Sequence, residues 1–209
     1  MPIVVVTGAR QTGKSTLVSQ LLPDPRPYYS LDDLDIRGLA EREPDELVGR
    51  PVPMVLDEVQ RVPELLMAIK RAVDRDRQVG RYILTGSANL LLMQAVSESL
   101  AGRAIYLTLW PMTRRERSGL GDVGRWSEFL DEPAERWLEM IRARESDPAD
   151  WRDAARLGGY PVPAVGQPDP EDRALWFDGY VRTYLERDLQ DLSAIDNLVD
   201  FRRLMRAAC

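Results

Sequence analysis

Up to Pro111 the chain alternates between short apolar runs and amphipathic segments. Ile3 to Thr7 is a β-branched run, which predicts a fully buried strand. Residues 15–22 have helical composition until Pro23 stops them. A second strand is predicted over 28–31, and the acidic stretch 32–43 reads as an exposed helix broken at Pro44. Residues 52–57 predict a third strand. Over 64–76, Leu65, Leu66, Ala68, Ile69, Ala72 and Val73 make a helical stripe, with Pro63 at its start where proline is tolerated. A fourth strand over 81–85, an apolar helix over 89–100 and a fifth strand over 104–109 complete the pattern. Such alternation predicts an α/β fold, a five-stranded parallel sheet with helices on both faces.

The alternation ends near Pro111. From Trp126 onward the pattern is helical, with Trp137, Met140 and Ile141 on one face. The turn Leu157-Gly158-Gly159-Tyr160-Pro161 and a proline-rich loop lead to a last helical stretch over 171–192. There Trp176, Tyr180 and Tyr184 fall at i, i+4 and i+8, a spacing that reads as core packing. The expected organisation is therefore a core over residues 1–118 and a small helical appendage over 119–209.

The first loop carries the sharpest chemical signal. Gly8-Ala9-Arg10-Gln11-Thr12-Gly13-Lys14-Ser15 follows a buried strand and opens a helix. Glycines let the backbone fold tightly around phosphate oxygens with successive N–H groups pointing inward. The helix N-terminus adds partial positive charge. Lys14 is expected to reach the β- and γ-phosphates, and the Ser15 hydroxyl to coordinate Mg²⁺. Thr16 completes the loop's expected nucleotide contacts. This pattern makes the chain an expected binder of a nucleoside triphosphate with Mg²⁺.

The third strand ends in Asp57-Glu58. In a parallel sheet the C-terminal ends of the strands meet where ligands bind, beside the glycine loop. Asp57 is expected on Mg²⁺, and Glu58 as the carboxylate that polarises the attacking water. The fourth strand ends Leu84-Thr85-Gly86-Ser87-Ala88-Asn89, where Thr85 and Ser87 are candidates to contact the γ-phosphate or orient the water. Asn89 is better explained as an N-cap. Arg103 precedes the fifth strand. An arginine delivered to the transferring phosphate accelerates hydrolysis by ~10³–10⁵-fold, but by spacing alone Arg103 reads as a surface charge.

Composition narrows the picture. The 209 residues include 28 basic and 34 acidic side chains, a net charge of −6, so nucleic acid is not an expected partner. Lys14 and Lys70 are the only lysines in an arginine-rich chain, which makes Lys14 conspicuous. Histidine is absent, removing histidine bases and the commonest metal ligand. The lone Cys209 excludes an intrachain disulfide or cysteine metal cluster. No run approaches the ~20 apolar residues that span a bilayer, and the expected location is cytoplasmic.

Together these strings resemble the AAA-type P-loop ATPases, and more closely a prokaryotic group that joins such a core to a C-terminal domain of unknown function. The resemblance also runs through Leu56-Asp57-Glu58-Val59-Gln60-Arg61-Val62-Pro63, Ser97-Glu98-Ser99-Leu100-Ala101-Gly102-Arg103, Gly158-Gly159-Tyr160-Pro161 and Tyr184-Leu185-Glu186-Arg187-Asp188-Leu189. It implies ATP as the nucleotide, Lys14 on its phosphates, Ser15 and Asp57 on Mg²⁺, Glu58 as catalytic base, and residues 85–87 as the sensor. It places Arg103 where such ATPases carry an arginine that acts on a neighbouring subunit's nucleotide, which implies a homo-oligomer. Against that group the chain reads as shortened at both ends. The alternative is a non-hydrolysing nucleotide-binding module, or a remnant of a longer ATPase, that signals to a partner. A small-molecule kinase and a DNA-binding regulator rank below both, since no lid with clustered arginines is evident and the net charge is unfavourable for DNA.

Overall fold

The structure, a computed structural model, describes residues 1–86, 100–119, 126–142, 150–166 and 169–185, together with Asp200 and Arg203. Two compact units are present, one of Met1–Trp110 with Ala174–Cys209 and one of Pro111–Arg173.

The first unit is built on five strands: β1 (Ile3–Thr7), β2 (Tyr28–Ser30), β3 (Met54–Asp57), β4 (Tyr82–Thr85) and β5 (Ala104–Thr108). All are parallel, in the order β2-β3-β4-β1-β5. The strand that follows the third helical region in sequence, β4, is thus inserted between β1 and β3. Its tip separates the glycine loop from the acidic pair.

Strand alternation sorts the apolar side chains onto two faces. Ile3 and Val5, Met54 and Leu56, Tyr82 and Leu84 point to one side, where they pack with Leu47, Leu65, Leu66 and Ile69. Val6, Val55 and Ile83 point to the other and pack with Val18. The helices therefore flank both faces: α1 (Lys14–Gln20) on one, α2 (Leu34–Arg42), α3 (Pro44–Val48) and α4 (Leu65–Arg75) on the other. α4 buries Leu65, Leu66, Ala68, Ile69 and Val73, the stripe read from the sequence. Each large side chain so buried contributes about 1.5–3 kcal/mol.

Local chemistry sets the helix boundaries. Asp33 caps α2, its carboxylate accepting from Asp35 N at 2.8 Å and Ile36 N at 3.2 Å. Pro44 ends that helix and starts α3 at the position where its missing N–H costs nothing. The region after Pro44, unassigned from sequence, is thus a short helix of its own. The apolar helix expected over 89–100 lies outside the described residues, apart from buried Leu100.

The second unit is helical: α5 (Arg114–Arg117), α6 (Trp126–Asp131), α7 (Ala134–Arg142) and α8 (Trp151–Leu157). Thr113 and Glu116 form a reciprocal capping box on α5. Gly159 lies against Met112, whose N–H donates to its carbonyl at 2.6 Å; a Cβ on Gly159 would fall 2.3 Å from Met112 O. α7 buries none of its residues. Trp137 and Ile141 stay exposed, and Trp137 meets Phe129 edge to face. The apolar face expected on α7 is present as a pattern without being buried.

A further helix, α9 (Pro170–Tyr180), passes into a π-helical turn, Val181–Leu185. Tyr180 is buried and stacks on Trp176, with ring centroids 5.2 Å apart. The Tyr184 side chain lies outside what is described.

Candidate active site

The glycine loop is positioned by the pairing of β1 with β5. Leu109 N donates to Thr7 O at 2.7 Å, which brings the Leu109 carbonyl against the next residue, Gly8. Gly8 has φ +146°, and a Cβ there would lie 2.3 Å from Leu109 O, so only glycine fits. At the other end of the loop Gly13 takes the left-handed conformation, φ 95°, and leads into α1. Between them Thr12 Oγ1 donates to Ala9 O at 2.9 Å and ties the loop together.

Lys14 is buried beneath this loop, its Nζ donating to Gly8 O at 3.1 Å and Ala9 O at 2.7 Å. Burial lowers its pKa from the ordinary 10.5, while Glu58 and then Asp57 act in the opposite sense. The ammonium is thus held inside the curve of the loop, where carbonyl oxygens solvate it.

Asp57, buried at the end of β3, is the hub of the site. It accepts from Ser15 Oγ at 3.2 and 3.0 Å, from the Tyr28 hydroxyl at 2.5 Å, and from the Thr85 hydroxyl. Burial raises the pKa of the Tyr28 phenol, and the hydrogen bond to Asp57 raises it further. Thr85 Oγ1 also accepts from Glu58 N at 3.2 Å. One β4 hydroxyl therefore fixes both members of the acidic pair.

Glu58 departs from the strand. Its φ of 60° and ψ of 42° are left-handed, at a cost of about 1–2 kcal/mol for a residue with a Cβ. Such strain concentrates at functional positions. The turn brings Glu58 to the lining of a cleft of about 330 Å³. Lys14 and Ser15 line the cleft together with Asp32, Glu58 and Arg61. Arg10, Gln11, Gly13 and Thr16 complete the lining. The Gln60 amide donates to the Glu58 carboxylate.

Residues 1–118 match the AAA domain family. The chain belongs to that family. Residues 148–209 match a domain of unknown function, so the AAA domain is followed by a second family segment. Two uncharacterized proteins, one of Mycobacterium bovis and one of Mycobacterium tuberculosis, are each 35% identical over 195 residues, 91% of this chain. The chain spans 37% of the length of those relatives.

The AAA domain thus gathers most of the residues singled out from the sequence. Ser15, Asp57, Glu58 and Thr85 lie within one hydrogen-bonded cluster at the C-terminal ends of β3 and β4, and Lys14, bonded to the loop carbonyls of Gly8 and Ala9 after β1, lines the same cleft. Ser87 and Asn89 lie outside the described residues. Arg103 is not part of the cluster. Its carbonyl accepts from Ile3 N at the start of β1, on the order of 16 Å of strand from Gly8. Its guanidinium grips Asp74 in a fork, Nε to Oδ1 at 2.7 Å and a terminal nitrogen to Oδ2 at 2.9 Å. Within its own chain Arg103 faces away from the loop's end of the sheet.

Four participants were not apparent from the sequence: Tyr28, Asp32, Gln60 and Arg61. Tyr180 also reaches the loop, its hydroxyl donating to Arg10 O at 3.3 Å. The i, i+4 spacing of Trp176 and Tyr180 signalled a packed pair, without showing what it would pack against. Among the described residues no cluster of three or more histidine, cysteine or acidic side chains could hold a metal, and no helix is long and apolar enough to cross a membrane.

Proposed function

We propose that the cleft binds ATP with Mg²⁺ and hydrolyses it. The observation that carries this reading is the convergence of Lys14, Ser15, Asp57 and Glu58 at one end of the sheet in an AAA domain. Ser15 and Asp57 supply a hydroxyl and a carboxylate 3.0 Å apart. That hard-oxygen pair suits an ion which prefers one or two protein ligands, phosphate oxygens and water. When bound, Mg²⁺ would neutralise charge on the phosphate oxygens.

The remaining roles fall to the chain itself. Backbone N–H groups of the loop cradle the phosphates, and the Lys14 ammonium exchanges its carbonyl partners for phosphate oxygens. Glu58 accepts the proton of the attacking water. Thr85 keeps Asp57 and Glu58 in register through its single hydroxyl. Arg103 acts on the nucleotide of a neighbouring copy, its distance from the loop being what favours a role across subunits over one within its chain.

The second reading is a nucleotide-binding module without turnover. It is favoured by the Gln60 amide on the Glu58 carboxylate, which competes with a water for one of its two oxygens. Glu58→Gln separates the two. Under hydrolysis, the variant binds ATP like the wild type while turnover falls by about 10²-fold or more. Equal turnover in both proteins would remove Glu58 from the mechanism, and none in either would leave the binding module.

A further inference from the structure

Arg61 ends the single 3₁₀ turn, Val59–Arg61, that begins at Glu58, and its N–H donates to Glu58 O at 3.0 Å. Val59 in the same turn is buried and anchors it to the core. Glu58 and Arg61, at the two ends, both line the cleft that Lys14 and Ser15 also line. A guanidinium is therefore delivered from the β3 side by the same short turn that presents Glu58.

Its present partner is weakly held. Arg61 Nε lies 2.5 Å from Asp32 Oδ1, but the two side chains are 39% and 55% exposed, and an ion pair so solvated contributes little. Asp32 keeps a second cation, Arg37, at 3.8 Å. Its release by Arg61 would leave neither a buried charge nor an orphan. A phosphate offers the guanidinium a planar, charge-assisted fork, a stronger match than a solvated carboxylate. Asp32 also lines the cleft as an anion and would repel a triphosphate unless a cation stood between them.

We propose that Arg61 binds the terminal phosphate of the nucleotide held by its own chain, and that Asp32 parks the guanidinium until that phosphate arrives. The proposal rests on ATP occupying the cleft. It concerns the γ-phosphate because Arg61 shares its turn with Glu58, the group that faces the attacking water. It makes the site sense ATP against ADP within one chain, whereas Arg103, bound to Asp74, lies at the opposite end of the sheet.

The test is calorimetric titration of the full chain with Mg·ATP and Mg·ADP, using wild type, Arg61→Ala, Arg61→Lys and Asp32→Asn. Arg61→Ala is expected to weaken ATP by at least about tenfold while ADP shifts less than about twofold. Arg61→Lys should recover only part of the loss, because a point charge lacks the fork. Asp32→Asn, with the parking carboxylate neutralised, should bind ATP more tightly than the wild type and ADP equally. Equal losses for ATP and ADP in Arg61→Ala, or none for either, would overturn the proposal alone. A wild-type chain that binds neither nucleotide would overturn it together with the reading on which it rests.

Discussion

Ser15 and Asp57 stand 42 residues apart in the chain, yet Ser15 Oγ donates to Asp57 Oδ2 at 3.0 Å. The contact joins the first turn of α1 to the tip of β3, two strands away from β1 in the sheet. Tyr28 and Thr85 donate to the same carboxylate. Three hydroxyls from α1, β2 and β4 thus converge on one buried acceptor, which organises the site without nucleotide.

Removing that acceptor has a defined cost. Asp57→Ala leaves three donors facing no oxygen, with an expected loss of about 1–3 kcal/mol in stability. Asp57→Asn retains one amide oxygen and should lose less. Urea denaturation followed by circular dichroism measures both. In either variant Mg²⁺ should no longer strengthen ATP binding; stability and Mg²⁺ dependence equal to wild type would contradict the role given to Asp57.

Gly8 is constrained in two independent ways, by its φ of +146° and by Leu109 O lying 2.3 Å from any added Cβ. Gly8→Ala must therefore move the loop or the end of β5. The expected penalty is about 1–3 kcal/mol in stability, with ATP affinity falling further than stability because the phosphate cradle itself shifts. A crystal structure of the variant with an unmoved loop would refute this account of Gly8.

Much of this site was legible because its parts are contiguous. The glycine loop is one string between a strand and a helix, and Asp57-Glu58 closes an apolar run, so each could be read without knowing the fold. The parallel sheet then required both to lie at one end. Tyr28, Asp32 and Arg61 were silent for the opposite reason. Each is an ordinary polar residue locally and becomes part of the site only because β2 pairs with β3. The left-handed Glu58 was equally hidden, since sequence patterns seldom reveal strain at a residue with a Cβ. In α7 the apolar stripe was legible but its burial was not: period predicts a face, and only tertiary contacts cover it.

Arg103 and Asp74 yield a pH signature separate from the cleft. The hydrogen bond from Arg103 lowers the Asp74 pKa below its ordinary 3.8. A depressed carboxylate contributes stability that is present above the unfolded-state pKa and disappears as pH falls through the folded value. Urea midpoints compared between wild type and Arg103→Ala should therefore differ near neutral pH and converge in acid, below about pH 4. A gap that widened in acid would show that the pair has the wrong sign. If Arg103 also acts across subunits, its loss lowers specific turnover at high protein concentration while Asp74→Asn does not.

The central claim is that the loop around Lys14 holds the phosphates of ATP. Calorimetric titration of the wild-type chain and of Lys14→Ala with Mg·ATP tests it most directly, alongside melting curves that confirm both are folded. The account predicts one ATP per wild-type chain and a loss of at least about tenfold in affinity for the variant. A folded Lys14→Ala chain that binds ATP as tightly as the wild type would contradict it.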